Sequence, residues 1–179
     1  MRHKKSCPLS RAYSLLEPGP VVLLTTAGPV RPNIMVMSWH TMMEFEPPLV
    51  GCVISARNHS FDLLTAAGTC AINIPTREIA DKVVGCGNTS GRDTDKFAAF
   101  GLTAESAAAV DAPLIGECYA SLECRLADSR LVANHNFFIL EVHKAWVDPA
   151  VDNPKTLHHR GYGKFMVAGE VIELPSRMR

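Results

Sequence analysis

Two short polar loops carry the residues best suited to grip an anion. The first is Ser55-Ala56-Arg57-Asn58-His59-Ser60, between an apolar run and the start of a helical pattern. Arg57 offers a forked guanidinium that can hold a phosphate through two parallel hydrogen bonds. Ser60 adds a hydroxyl beside the free backbone N–H groups of a helix N-terminus. The second loop, Asn88-Thr89-Ser90-Gly91-Arg92, is a small-polar turn ahead of a helix carrying Lys96. From spacing alone both loops have two readings, a phosphate site or ordinary polar turns. A third segment, Asn33 through Thr41, begins like a core strand and ends in Ser38, Trp39, His40 and Thr41. That group could stack on and hydrogen-bond a flat heterocycle; alternatively Trp39 packs against a partner subunit.

Other chemistries fit less well. Gly85-Cys86-Gly87-Asn88-Thr89-Ser90-Gly91 has one residue too many for a dinucleotide fingerprint, and it follows a helical pattern where the fingerprint needs a strand. Gly161-Tyr162-Gly163-Lys164 continues to Phe165 and so is no Walker A loop. There is no G-x-S-x-G and no cysteine in a distinctive catalytic neighbourhood. The 7 histidines raise a metal hypothesis through His135, His158 and His159, with Cys86 as a further ligand. Adjacent strand residues point to opposite faces, so one of the His158-His159 pair would point away; exposed or hydrogen-bonding histidines are the preferred reading. None of the 6 cysteines forms C-x-x-C, and Cys52, Cys70, Cys118 and Cys124 lie in apolar runs. They read as reduced core thiols, in keeping with a cytoplasmic location.

These residues must be positioned by a chain of 179 residues, a length suited to one domain. Its 18 basic and 18 acidic side chains cancel, which excludes a broad basic face for nucleic acid. The basic clusters Arg2/Lys4/Lys5 and Arg177/Arg179 read as solvated tails, giving a tail over 1–16, a domain over 17–174 and a basic tail over 175–179. The longest uncharged apolar run, 18–30, is broken by Pro and Gly and is too short to span a bilayer. Residues 1–17 do not fit a signal peptide, so neither a membrane nor a nucleic acid is an expected partner.

Apolar runs and period-two alternation predict strands at 21–24, 34–39, 49–54, 69–74, 118–126, 137–147 and 165–174. Helices are predicted from a Ser60 cap to Gly68, from a Thr76 cap through the stripe Ile79, Ala80, Val83 and Val84, and over 93–100 with Gly101 at its end. Residues 104–112 form an Ala/Ser connector and 148–154 a turn region. This order predicts a mainly β fold with peripheral helices, a small closed or split barrel.

Taken in order, Asn33 through Thr41, Glu46-Pro47-Pro48-Leu49, Arg57-x-x-Ser60 and the strand ending Asn73-Ile74-Pro75 resemble the flavin reductase-like proteins. These are the FMN-binding split-barrel group that includes flavoredoxins. The stretch from Cys86 to Phe97, with Ala112-Pro113-Leu114-Ile115, Leu122-Glu123-Cys124 and Phe138-Ile139-Leu140-Glu141-Val142, is similar to the flavoredoxin branch. The resemblance covers residues 17–173. It implies an FMN-binding split β-barrel homodimer with the cofactor near the subunit interface. Ser38, Trp39, His40 and Thr41 would border the flavin, with Asn33 near the flavin-binding strand pair. Ser55, Arg57, Asn58 and Ser60, helped by Ser90, Gly91 and Lys96, would hold the phosphate. Relatives often carry Gly or Ser, then His and Asp, where this chain reads Asn134-His135-Asn136; His135 keeps its place as the candidate catalytic residue beside flavin or nicotinamide. The implied activity is a flavin-dependent oxidoreductase drawing electrons from NAD(P)H or a reduced partner protein. A metal-binding protein and a non-catalytic flavin-binding dimer are the alternatives.

Overall fold

The structure is a computed structural model that describes residues 4–12 and 19–176. Lys5–Cys7 forms β1, and Val22–Thr26 forms β2, buried along its whole length. Asn33–Met37 is β3 and His40–Phe45 is β4, followed by β5, Pro48–Val53. Helix α1, His59–Ala67, stops at Gly68, whose φ of 64° is the left-handed value glycine adopts without steric cost. Then come β6, Thr69–Ile74; α2, Ala80–Asn88; and α3, Lys96–Phe100. The short strands β7, Ala104–Glu105, and β8, Leu114–Ile115, lead into β9, Ala120–Asp128. The chain finishes with α4, Val132–His135; β10, Phe137–Val147; β11, Leu157–His159; and β12, Phe165–Val167.

The strand order β3-β2-β6-β9-β10-β5-β4, antiparallel at every pairing, explains the shape. The first and last strands of this path are consecutive in sequence, joined only by Ser38 and Trp39. So short a link forces the sheet to curl until its two edges meet at that corner. Beyond the corner β3 and β4 form no ladder, so the barrel is split.

Period-two alternation sends Val22, Leu24, Cys70, Ile72, Leu122, Cys124, Phe138 and Leu140 into the barrel interior. Leu64 of α1 joins them, and Phe61 meets the Phe138 ring edge-on at 5.3 Å. The opposite face of β2 and β3 packs Leu23 and Ile34 against Val83, Cys86 and Phe97 of the helical layer. On the outer side of β9, Glu123 is fully buried and receives hydrogen bonds from Ala108 N (3.0 Å), Ala109 N (2.5 Å) and Trp146 Nε1 (2.7 Å). It thereby pins the Ala/Ser connector to the sheet.

Several expectations change. Ser60 is not the cap of α1; Asn58 holds that position, and Ser60 lies within the first turn. Thr76 precedes a separate turn of 3-10 helix, Arg77–Ile79, before α2 begins. The helix expected from residue 93 starts at Lys96, where Asp95 accepts from Ala98 N at 3.1 Å. The strand expected over 34–39 ends at Met37, and β4 goes unseen in the sequence because its apolar residues Met43 and Phe45 face solvent. The strand expected over 165–174 stops at Val167, since Gly169 and Glu170 interrupt the apolar pattern. Lys4 and Lys5 are no solvated tail: β1 pairs with β10, and Lys4 Nζ donates to Ile115 O at 2.5 Å. Residues 1–3, 13–18 and 177–179, which hold Arg2, Arg177 and Arg179, lie outside the described residues.

Candidate functional site

Two joined cavities open beside the β3 edge of the split. The polar one, about 320 Å³, is walled by β3 from Asn33 to Val36, the α1 N-terminus from Arg57 to Ser60, and the segment Cys86 to Arg92, with Lys96 at its base. The apolar one, about 420 Å³, is lined by Val36, Met37, Ser38, Trp39, Val83, Val84, Gly87, Asn88, His159, Gly163 and Phe165, among others. The two share Val36, Gly87 and Asn88. They therefore form one elongated site with a polar pole and an apolar, partly aromatic pole.

At the polar pole, Ser60 Oγ is buried and accepts from Asn33 Nδ2 at 2.8 Å, which leaves the hydroxyl proton to donate. Arg57 reaches the same cavity and makes no ion pair among the described residues, while Arg92 is partly neutralised by Asp62 at 3.0 Å. The first turn of α1 adds the backbone N–H groups of His59 and Ser60, which precede the first intrahelical bonds, whereas Phe61 N donates to Asn58 O at 3.0 Å. Positive potential thus accumulates where a phosphate would sit. Lys96 is buried, its Nζ donating to Ile34 O at 2.7 Å and Cys86 O at 2.8 Å. Burial pushes its ammonium below the ordinary lysine value, opposed by the nearby Cys86. Two of its three donors thus clamp the cavity wall, leaving one for a ligand. Burial drives the Cys86 thiol up to about 11 despite Lys96, so it is neutral and unreactive at neutral pH.

Asn33 Oδ1 is buried without a hydrogen-bond partner among the described residues, and so is His59 Nδ1. A buried acceptor left bare costs free energy unless something donates to it. A Cβ added at Gly91 would overlap Asn33 Oδ1, so glycine is what lets this loop close over Asn33. The donor set and the orphaned acceptor fit a phosphorylated, hydroxyl-bearing ligand with a flat apolar head.

Of the residues singled out in the sequence, Asn33, Arg57, Asn58, Ser60, Ser90, Gly91 and Lys96 converge at the polar pole, and Ser38 and Trp39 at the apolar one. The others lie apart. His40 and Thr41 line a neighbouring hollow with Met43 and Phe45. His40 Nε2 is 2.7 Å from Pro20 O, and burial lowers its pKa, an effect only partly offset by that bond. Burial there thus favours the neutral form of the ring. Ser55 Oγ accepts from Arg57 N at 3.3 Å and shapes the loop without entering either cavity. His135 is exposed at the end of α4 and lines neither cavity. Among the described residues no three His, Cys, Asp or Glu side chains gather as a metal set. The sequence reading gives Gly87 and Phe165 no role in this cavity, weighs His159 only as a metal ligand, and includes Val36 only as part of the Asn33 to Thr41 segment.

Residues 14–166 match the flavin reductase like domain family. The chain belongs to that family. It is 33% identical over 178 residues to the uncharacterized protein YddH of Escherichia coli (strain K12), covering 92% of this chain and 94% of that protein. It is similar to the FMN-binding domain of a flavin reductases-like enzyme from Shewanella baltica OS155, with TM-score 0.91 and 26% identity over 97% of this chain and 98% of that one. Flavoredoxin of Desulfovibrio vulgaris (Miyazaki F) aligns with TM-score 0.79 and 26% identity over 87% of this chain and 90% of its own. The split barrel of this flavin reductase-like chain is therefore the family fold. No described helix is long and apolar enough to cross a membrane.

Proposed function

We propose that the joined cavities bind FMN and that the protein is a flavin-dependent oxidoreductase. One observation carries this: a cationic, hydroxyl-lined pole and a Trp39-flanked apolar pole meet at Val36, with an unpartnered buried acceptor, Asn33 Oδ1, at the polar pole. Similarity to FMN-binding proteins of the same fold supports it. Arg57, Ser60 and the α1 N-terminus would hold the phosphate, and Asn33 would accept from a ribityl hydroxyl. Trp39, Val84 and Phe165 would enclose the ring system. When bound, FMN supplies the electron chemistry, taking up two electrons with a proton and passing them on. The protein's own share is to orient the ring edge along β3, exclude water with the apolar walls and neutralise the phosphate.

Electrons would come from NAD(P)H or a reduced partner protein. The protein would work as a homodimer, since Trp39, Met43 and Phe45 form an exposed apolar strip at the β4 edge. An absorbance spectrum of freshly purified protein should show bound oxidised flavin, released as FMN on denaturation. Anaerobic stopped-flow with NADH, NADPH and reduced ferredoxin should bleach it with at least one donor. A colourless protein that takes up no added FMN would overturn the cofactor, and a bound flavin that none of the three reduces would overturn the oxidoreductase reading. Light scattering during gel filtration should give twice the monomer mass.

A further inference from the structure

Beside the apolar cavity stands the hairpin of β11 and β12, and its tip has features that the cofactor leaves unused. Arg160, Gly161, Tyr162, Lys164, Phe165 and Met166 line an open cleft of about 690 Å³. Phe165 belongs to both this cleft and the apolar cavity, so the two adjoin across one side chain. The tip takes three successive left-handed residues, Gly161 (φ 83°), Tyr162 (φ 50°) and Gly163 (φ 71°). Glycine adopts such angles freely, but a bulky residue at φ 50° is strained. Tyr162 is also fully exposed, so the fold gains no packing from the ring it strains to hold out. Arg160 and Lys164 flank it, both exposed and neither in an ion pair among the described residues. An aromatic face between two unpaired cations, one cleft away from a site for a flat ring, suits an elongated ligand. Such a ligand has a second flat base, with phosphates between its two ends.

We infer that Arg160, Tyr162 and Lys164 form the recognition site for the adenosine-phosphate half of a pyridine dinucleotide whose nicotinamide end enters the apolar cavity. This rests on the proposed oxidoreductase function and assigns residues to its donor. Arg160 and Lys164 hold the phosphates, and the Tyr162 ring stacks on the adenine. Gly161 and Gly163 let the tip adjust to the ligand.

The test uses the FMN-loaded full chain with three donors: NADH, NADPH and reduced nicotinamide mononucleotide, which lacks the adenosine half. The variants are Arg160→Ala/Lys164→Ala and Tyr162→Gly, the second of which also relieves the backbone strain. Loss of a charge-assisted contact should raise KM for both dinucleotides roughly tenfold or more. The kcat and the FMN dissociation constant should stay unchanged, and the KM for the mononucleotide, which keeps one phosphate and no adenine, should rise less than that for either dinucleotide. Unchanged dinucleotide KM values, or an equal rise for the mononucleotide, would overturn the inference. So would reduction by an acidic electron-transfer protein alone, with the hairpin variants impairing that reaction. Calorimetry with ADP-ribose gives a readout that needs no flavin: the parent protein should bind it and the variants should lose about tenfold. Absence of FMN with ADP-ribose binding intact would overturn the function and leave the hairpin site standing; FMN binding without ADP-ribose binding would do the reverse.

Discussion

Replacing Gly91 with alanine tests whether the glycine loop and Asn33 act as one device. The new Cβ would stand 2.6 Å from Asn33 Cγ and 3.4 Å from Nδ2, and closer still to Oδ1. Carbon atoms prefer roughly 3.5–4.0 Å, so the carboxamide must swing away. Its Nδ2 bond to Ser60 Oγ, 2.8 Å long and buried, then breaks. Overpacking costs about 1–3 kcal/mol, and the lost hydrogen bond about 0.5–1.5 kcal/mol. A destabilisation of about 2 kcal/mol is expected, read as a lower urea midpoint at unchanged slope. The displaced carboxamide also intrudes on the polar pole, and FMN affinity should fall at least roughly tenfold by flavin fluorescence titration. Asn33→Ala removes the group that is struck. If the clash is the cause, Gly91→Ala should cost almost nothing in the Asn33→Ala background, a coupling of about 2 kcal/mol. Additive losses in that double-mutant cycle would refute the reasoning.

Arg57→Ala should weaken FMN by about 1.5–3 kcal/mol and leave riboflavin, which lacks the phosphate, nearly unaffected; equal losses in parallel fluorescence titrations would contradict the phosphate assignment. Glu123→Leu strands the N–H groups of Ala108, Ala109 and Trp146 and should cost about 3 kcal/mol or more in urea unfolding. Glu123→Gln keeps a carbonyl acceptor and should lose less, and a larger loss for Gln would show that the charge, not the acceptor, holds the connector. His40 has a folded pKa below its ordinary 6.5, so the unfolded chain binds its proton first as pH falls. Its contribution is intact above about pH 6.5 and is lost progressively below that, toward its lowered folded pKa; His40→Gln should flatten this part of the stability–pH curve, and an unchanged slope would mean that the ring is not buried neutral.

The sequence made the barrel strands legible because β2, β6 and Ala120 to Cys124 of β9 are closed in on both faces, and their apolar runs have few alternatives. Leu122 to Leu126 shows the same alternation in sequence and in space. The misses share one cause, which is that edges obey different rules. Strand β4 has one pairing partner and turns Met43 and Phe45 outward, so its pattern matches no buried template. Lys4 looks like a solvated tail until its ammonium is seen to satisfy Ile115 O across the fold, a contact 111 residues distant in the chain. The candidate site was readable where residues close in sequence act together, as in the Arg57 to Ser60 loop. It was unreadable where convergence depends on tertiary packing: Val36 of β3 and Phe165 of the separate β11-β12 hairpin line one cavity although they are far apart in the chain.

That joint also gives a physical reason for the site's location. An edge strand leaves a row of N–H and C=O groups without sheet partners. Along β3, Ile34 O turns outward and is met by Lys96, so period two turns the backbone of Val36 to the same side. Lys96, α2 and α3 cover the edge at Ile34, whereas at Val36 the two cavities meet. A flat heterocycle with donors and acceptors along one rim can satisfy such an edge as a neighbouring strand would, with no change in the barrel. The groups proposed to hold its phosphate come from α1 and the Ser90-Gly91 loop, fixed independently by Leu64 in the barrel core and by the close fit of Gly91 on Asn33. The split is therefore a sheet edge kept open on one short stretch, with a charged anchor built beside it.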